Sequence, residues 1–305
     1  MKLTKQEKSI LVPLVFFDIF QVPLEDEELI ESAFKFKITK SDFEKTLTDL
    51  LKKKIIKHKN GWYFLKGREK ILATHKKRSK ISQKYLQKAE RATNVLKHIP
   101  FVRMVSVINN LSFNNCKKSS DIDLFIITAP KRLWICRTLV VALLWLLGLK
   151  KTRTKIAGKI CCGFFITSNH LNLKKIALEG LDVYLLFWFL KMKPLYGVET
   201  WKDFRRANYW VYKYFPNYSS SQGKIRNKFK KSKLQKVGEI LFSGRFGDWL
   251  NSKLGKYHKK HTWAQPENSW ETSTTIAEDN MIKLHAKDMR EFYFKEFEKR
   301  LEIIT

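Results

Sequence analysis

The segment from Phe101 to Thr167 constrains the fold of this chain more than any other. An apolar run, Phe101 to Ile108, gives way to a polar loop, Asn109 to Ser120. A second apolar run, Ile122 to Thr128, a helix-patterned stretch, Arg132 to Leu147, and a third run, Lys159 to Thr167, follow. Strand, loop, strand, helix, strand is the skeleton of a small mixed α/β sheet. With 44% hydrophobic residues over 305 positions, wholesale disorder is excluded and a real core is expected.

Asp121 and Asp123 open the second of these runs. Two carboxylates separated by one residue on a strand project to the same side, about 7 Å apart at the backbone, so their oxygens can converge on hard cations. That arrangement suits Mg²⁺, which takes oxygen ligands and is commonly held by one or two carboxylates plus substrate phosphates. With two ions, one would activate an incoming hydroxyl and the other would neutralise a leaving pyrophosphate. An ordinary exposed turn, with Ser119 and Ser120 as turn formers, is the alternative reading.

Before this segment, residues 5 to 20 read as a helix and Glu25 to Phe34 as a second, after a break at Pro23. A third follows an N-cap cluster at Thr39 to Asp42, with Phe43, Leu47, Leu50 and Leu51 on one face. Ile55 to Leu65 then holds two β-prone runs around Asn60-Gly61, a strong type I′ hairpin signal. Three helices and a hairpin predict a winged-helix-like domain over residues 1–67, whose basic third helix either enters a nucleic-acid groove or packs against protein. Residues 68–98 read as one linker helix ended by Pro100.

The small mixed-sheet domain would occupy residues 99–218, with a helical extension over Leu173 to Lys191 and Trp201 to Tyr214. Residues 219–305 read as a basic, mainly helical region. It opens with the linker carrying Lys224, Arg226, Lys228, Lys230 and Lys231, and continues through an amphipathic stretch at Leu234 to Leu254. The expected class is therefore α+β, a small mixed sheet between helical flanks.

Lys and Arg number 60 against 29 acids, so the net charge is +31. Such a field favours polyanions such as RNA, DNA or nucleotides, although lysine spread along the chain also fits a merely solvated surface. The cysteines, Cys116, Cys136, Cys161 and Cys162, have no metal-finger spacing and suit a reduced, cytoplasmic chain. Cys161 and Cys162, as strand neighbours, should point to opposite faces. The apolar run Ile10 to Phe17 is interrupted by Asp18 and lacks a cleavage site, which argues against a signal peptide. Thr138 to Leu149 and Val183 to Leu190 fall short of the ~20 residues of a bilayer span, leaving at most peripheral membrane contact through the helices of Trp145 and Trp188.

The segment Val105 to Thr128 resembles the signature of nucleotidyltransferases of the DNA polymerase β-like superfamily. Val105 to Ile108 matches the family's first strand, Asn109-Asn110 takes the place of its Gly-Ser turn, and Ser120-Asp121-Ile122-Asp123-Leu124 matches its Asp-x-Asp. Leu133 to Arg137, Ala207 to Trp210 and Phe215-Pro216-Asn217 extend a looser similarity to an uncharacterised bacterial group. The resemblance implies transfer of a nucleotidyl group from an NTP to a hydroxyl acceptor with Mg²⁺. Asp121 and Asp123 would hold the metal, and Asn109, Asn110 and Ser120 would line the phosphate turn.

Asn109 is the best non-Gly residue for a left-handed backbone, and Asn110 could donate to a phosphate oxygen. Arg137 could reach a triphosphate, or instead snorkel to the surface or form an ion pair. Active members carry a third carboxylate on a later strand. Lys159 to Thr167 has none, with Glu179 and Asp182 as stand-ins. His285 and Asp288 share a helical face, and Trp201, Tyr209, Trp210, Trp263 and Trp270 could stack on bases or serve the core. The alternative to an enzyme is a degenerate transferase fold that only binds nucleic acid.

Overall fold

The computed structural model of the chain describes residues 3–218, 232–266, 273–284 and 287–304. It opens with three helices, α1 (Lys5–Ile19), α2 (Asp26–Glu31) and α3 (Lys40–Lys52). α1 starts where Thr4 and Glu7 close a reciprocal capping box, with the Thr4 hydroxyl accepting from the Glu7 amide at 3.1 Å and the Glu7 carboxylate accepting from the Thr4 amide at 2.9 Å. Its stretch Ile10–Asp18 is buried on every side, so the run that mimics a leader is a core helix. Asp18 is held inside by ion pairs to Arg68 and Arg300.

The hairpin follows as the sequence indicates. β1 (Ile56–Lys59) pairs antiparallel with β2 (Trp62–Leu65), and Asn60 and Gly61 between them both take positive φ, 54° and 79°. That is the pattern of a type I′ turn. A long helix, α4 (Lys70–Leu96), leads into the sheet.

The predicted alternation is present: β3 (Val102–Val107), a short α5 (Asn109–Ser112), β4 (Ile122–Thr128), α6 (Leu133–Leu146) and β5 (Ile160–Thr167). β3 and β4 run antiparallel, and β4 and β5 run parallel with α6 as the crossover. The rest of the described chain supplies α7 (Val183–Lys191), β6 (Lys193–Tyr196), α8 (Val198–Ala207), α9 (Lys233–Leu241), α10 (Gly244–Trp263), β7 (Ile276–Ala277), β8 (Met281–Lys283) and α11 (Arg290–Ile304). The sheet has six strands in the order β6-β3-β4-β5-β8-β7.

Two expectations need correction. Leu173 to Lys191 is not one helix: a 3-10 turn at Leu173–Ile176 ends, Gly180 turns with φ 78°, and α7 begins afresh where Asp182 accepts from the Leu185 amide at 2.9 Å. Trp201 to Tyr214 likewise divides into α8 and a 3-10 turn at Tyr209–Lys213. Beside its helices the C-terminal region supplies two short strands, with β8 adding to β5 and β7 to β8. β6, β7 and β8 are two to four residues long, too short to show periodicity. The basic linker residues Lys224, Arg226, Lys228, Lys230 and Lys231, and also Trp270 and His285, lie outside the described residues.

Alternate residues send the sheet's two faces into two cores. Phe125, Ile127, Phe164 and Ile166 join α1, α7 and α8, where Phe16 stacks on Phe187 with centroids 4.4 Å apart. Ile122, Leu124, Ile126 and Phe165 pack under α4 and α6. The N-terminal helices therefore share an apolar core with one face of the sheet. Among the described residues no helix is long and apolar enough to cross a membrane.

Gly197 turns β6 into α8 with φ 89°, and a Cβ there would lie 2.0 Å from the Arg103 carbonyl oxygen of β3. The contact is backbone on backbone and cannot be relieved by a side-chain rotation. Gly197→Ala is expected to cost ~2–4 kcal/mol of stability in urea denaturation. A variant of wild-type stability would refute this packing.

Candidate metal and phosphate site

Asp121 and Asp123 flank buried Ile122, so one strand start sends its apolar side chain into the lower core and both carboxylates, half-buried, to the other face. Cys161 on β5 sits directly across from Asp123 in the parallel register. One oxygen of each carboxylate and the Cys161 sulfur all lie within 4.8 Å of one another. The exposed-turn reading of the pair is thereby set aside. Cys161 stands on the strand where a third acid was sought, and only the β4–β5 register reveals it.

Burial, and then the neighbouring Asp121 charge, push the Asp123 carboxyl up to about 6, while the Asn109 amide, Lys151 and the Cys161 thiol pull it back. Asn109 Nδ2 donates to Asp123 Oδ2 at 3.0 Å, and Lys151 Nζ donates to Asp121 Oδ2 at 2.6 Å. The Cys161 thiol is driven up by burial and by Asp123, so it stays protonated and donates toward Asp123. Lys151 keeps its proton more firmly than usual, since its hydrogen bond to Asp121 and the nearby acids outweigh the burial that opposes it.

Asn109 has φ 56°, the left-handed conformation anticipated for the position of a family glycine. Its side chain is a hub. Nδ2 holds Asp123, while Oδ1 accepts from Trp188 Nε1 at 3.0 Å and from the Tyr184 hydroxyl at 3.4 Å. Asn110 is exposed and lines the same cavity as Asp123. Ser120 is spent in its turn, its hydroxyl accepting from the Lys117 amide at 2.9 Å, and it does not line that cavity.

The cavity beside Asp123 has a volume of about 260 Å³ and is walled by Asn109, Tyr184 and Trp188 on one side and by Lys283, Asp288 and Arg290 on the other. Asp288 pairs with Arg290 at 2.6 Å and Lys283 at 3.1 Å, and these contacts hold its carboxyl far below the usual range although burial opposes them. Asp182 is no stand-in for a third acid: it caps α7 and pairs with Arg290 at 2.6 Å. Glu179 is exposed in the loop before α7 and is not in the metal-ligating group. Trp201 is buried against Phe204 and Phe189, and Trp210 donates to Asn208, so both serve the core, whereas Tyr209 and Trp263 are exposed.

Among the described residues Arg137 neither snorkels nor forms an ion pair. It lies on the opposite face of the sheet over Phe165, and its Nε and Nη1 are buried without a hydrogen-bond partner. Cys162 points to that same face, apart from Cys161.

No family model, curated protein or solved structure matches the chain.

Asn109→Gly keeps the left-handed backbone but removes the donor on Asp123. The expected outcome is an unchanged fold with the Asp123 carboxyl titrating above about 6, read by carboxyl-carbon NMR. An unmoved titration would show that the Asn109 amide does not govern Asp123.

Proposed function

We propose that the chain is a nucleotidyltransferase-type enzyme that binds a divalent cation between Asp121 and Asp123 and moves a nucleotidyl group from an NTP to a hydroxyl acceptor. The convergence of both carboxylates at the mouth of a parallel strand pair, beside a left-handed Asn109, is the observation that carries this reading. The donor set fits Mg²⁺ or Mn²⁺ through two carboxylates, with water and phosphate oxygens to complete the shell. Cys161 on the facing strand places a soft sulfur beside the two carboxylates. A bound cation supplies neutralisation of phosphate charge and polarisation of the reacting phosphorus.

The chain's own residues do the remaining work. Asn109 fixes the Asp123 rotamer, and the Tyr184 and Trp188 rings that anchor Asn109 wall off one side of the cavity. Lys151 balances Asp121, which favours a single cation over two at the pair. In this reading the N-terminal helices and hairpin form a winged-helix-like unit, and the net charge of +31 draws in a polyanionic acceptor. The test is transfer of α-labelled NTP to an RNA pool or to protein, stopped by EDTA and restored by Mn²⁺. Label transfer indifferent to EDTA would remove the proposal.

A second reading draws on Lys151 and Cys161, which place a protein cation and a neutral thiol where a catalytic site would want metal and a third carboxylate. The chain would then be a nucleic-acid-binding protein with a decayed transferase site. Nucleic-acid binding insensitive to Mg²⁺ and NTP, without label transfer, would favour it.

A further inference from the structure

α6, the start of β5, α10 and the loop after α6 border a second cavity of about 960 Å³. Its polar wall carries Arg137, Lys150, Lys151, Arg153, His258 and His261, and no carboxylate lines it among the described residues. Lys151 is balanced by Asp121 and Arg153 bonds Gln265 at 2.5 Å. No ion pair among the described residues neutralises Arg137 or Lys150. Burying guanidinium N–H groups without an acceptor is unfavourable, and Arg137 has two of them, Nε and Nη1. A fold that carries that cost on the wall of an acid-free basic cavity is poised for an anion.

We propose that this cavity is a phosphate-binding site, in which the Arg137 guanidinium and the Lys150 ammonium hold a compact di- or triphosphate without help from a metal ion. Guanidinium presents a planar fork that matches two phosphate oxygens, and the neighbouring ammonium adds a point charge. His258 contributes no competing charge: burial first, then Arg137 and His261, push its imidazole down to about 4, and its Nε2 lies 2.9 Å from the Thr138 hydroxyl. Val141, Leu144, Ile156 and Tyr257 leave an apolar wall beside the cations, room for the organic part of a phosphate ester. Lys151, which touches Asp121, and Cys161, which lies beside both carboxylates, line this cavity too, so the two sites adjoin. The proposal stands whether or not Asp121 and Asp123 catalyse anything.

The experiment is calorimetric titration of the full chain with inorganic pyrophosphate in EDTA at fixed ionic strength. The variants are Arg137→Met, Lys150→Met, the double variant Asp121→Asn with Asp123→Asn, and Lys45→Met as a control on the exposed face of α3. Expected is saturable binding that weakens at least tenfold in Arg137→Met and Lys150→Met and persists in the other two. Should Arg137→Met not fold, the half-buried Lys150→Met decides the matter. No saturable binding, or equal weakening in Lys45→Met, would reduce the effect to the overall charge and overturn the site. Loss in the double aspartate variant alone would move the pyrophosphate to the carboxylate pair and overturn it equally.

Discussion

Replacing Asp121 and Asp123 together by Asn is expected to remove nucleotidyl transfer entirely, a drop of at least 10³-fold in rate, because the cation loses both anionic ligands at once. The single change Asp123→Asn carries a second, opposite signature. The Asp123 carboxyl is raised from 3.8 to about 6, so the folded state disfavours its ionised form. For an acid raised on folding, the cation-free protein gains stability as pH falls from about 6 toward 4, and above pH 6 the ionised carboxylate costs up to ~3 kcal/mol. Asp123→Asn should therefore flatten that pH dependence and raise the melting temperature at pH 7.5 while abolishing activity. Cation uptake by the wild type should fall as pH drops through about 6, since proton and metal compete for one carboxylate. A melting temperature lowered by Asp123→Asn at pH 7.5 would show that the site is not strained by its own charge.

The second large effect lies across the cavity. Arg290 ties Asp182 and Asp288 together, and it also donates to the Ile176 carbonyl at 2.7 Å, so a single side chain fastens α11 to α7 and to the loop before it. Asp182 is 4% exposed. Arg290→Met would leave the buried Asp182 without a cationic partner and Asp288 with Lys283 alone, at a cost of about 3–5 kcal/mol, measurable by urea denaturation. Hydrogen exchange across Arg290–Ile304 should rise at the same time, since this helix docks through that contact. Arg290→Lys should recover part of the stability but not the shared contacts, because an ammonium lacks the fork. A stable Arg290→Met variant with a protected C-terminal helix would mean that the Arg300–Asp18 pair and the apolar contacts of Phe297 and Tyr293 hold α11 without it.

What could be read from the chain beforehand was local. Asp121 and Asp123 were legible because a spacing of two on a strand fixes their side, and Asn60-Gly61 and Asn109 because positive φ selects few residue types. Cys161, Lys151 and Arg290 were not legible. Cys161 enters through the parallel register of β4 with β5, and Lys151 through the return of the chain after α6 to bridge at Ile160. Arg290 arrives from more than a hundred residues beyond Asp182. Asp182 is hidden for a related reason: the sequence pattern runs as one helix from Leu173, and only the break at Gly180 makes Asp182 a cap. Arg137 was suspected of meeting phosphate, but the side of the sheet it occupies follows from how α6 crosses over, which no spacing encodes.

The claim that Asp121 and Asp123 form a nucleotide-linked cation site is tested most directly by Mn²⁺ titration followed by electron paramagnetic resonance, with and without NTP. Expected is one tightly bound ion per chain, bound more tightly when NTP is present and lost in the double Asn variant. Equal Mn²⁺ uptake by wild type and variant, or uptake that ignores NTP, would contradict it.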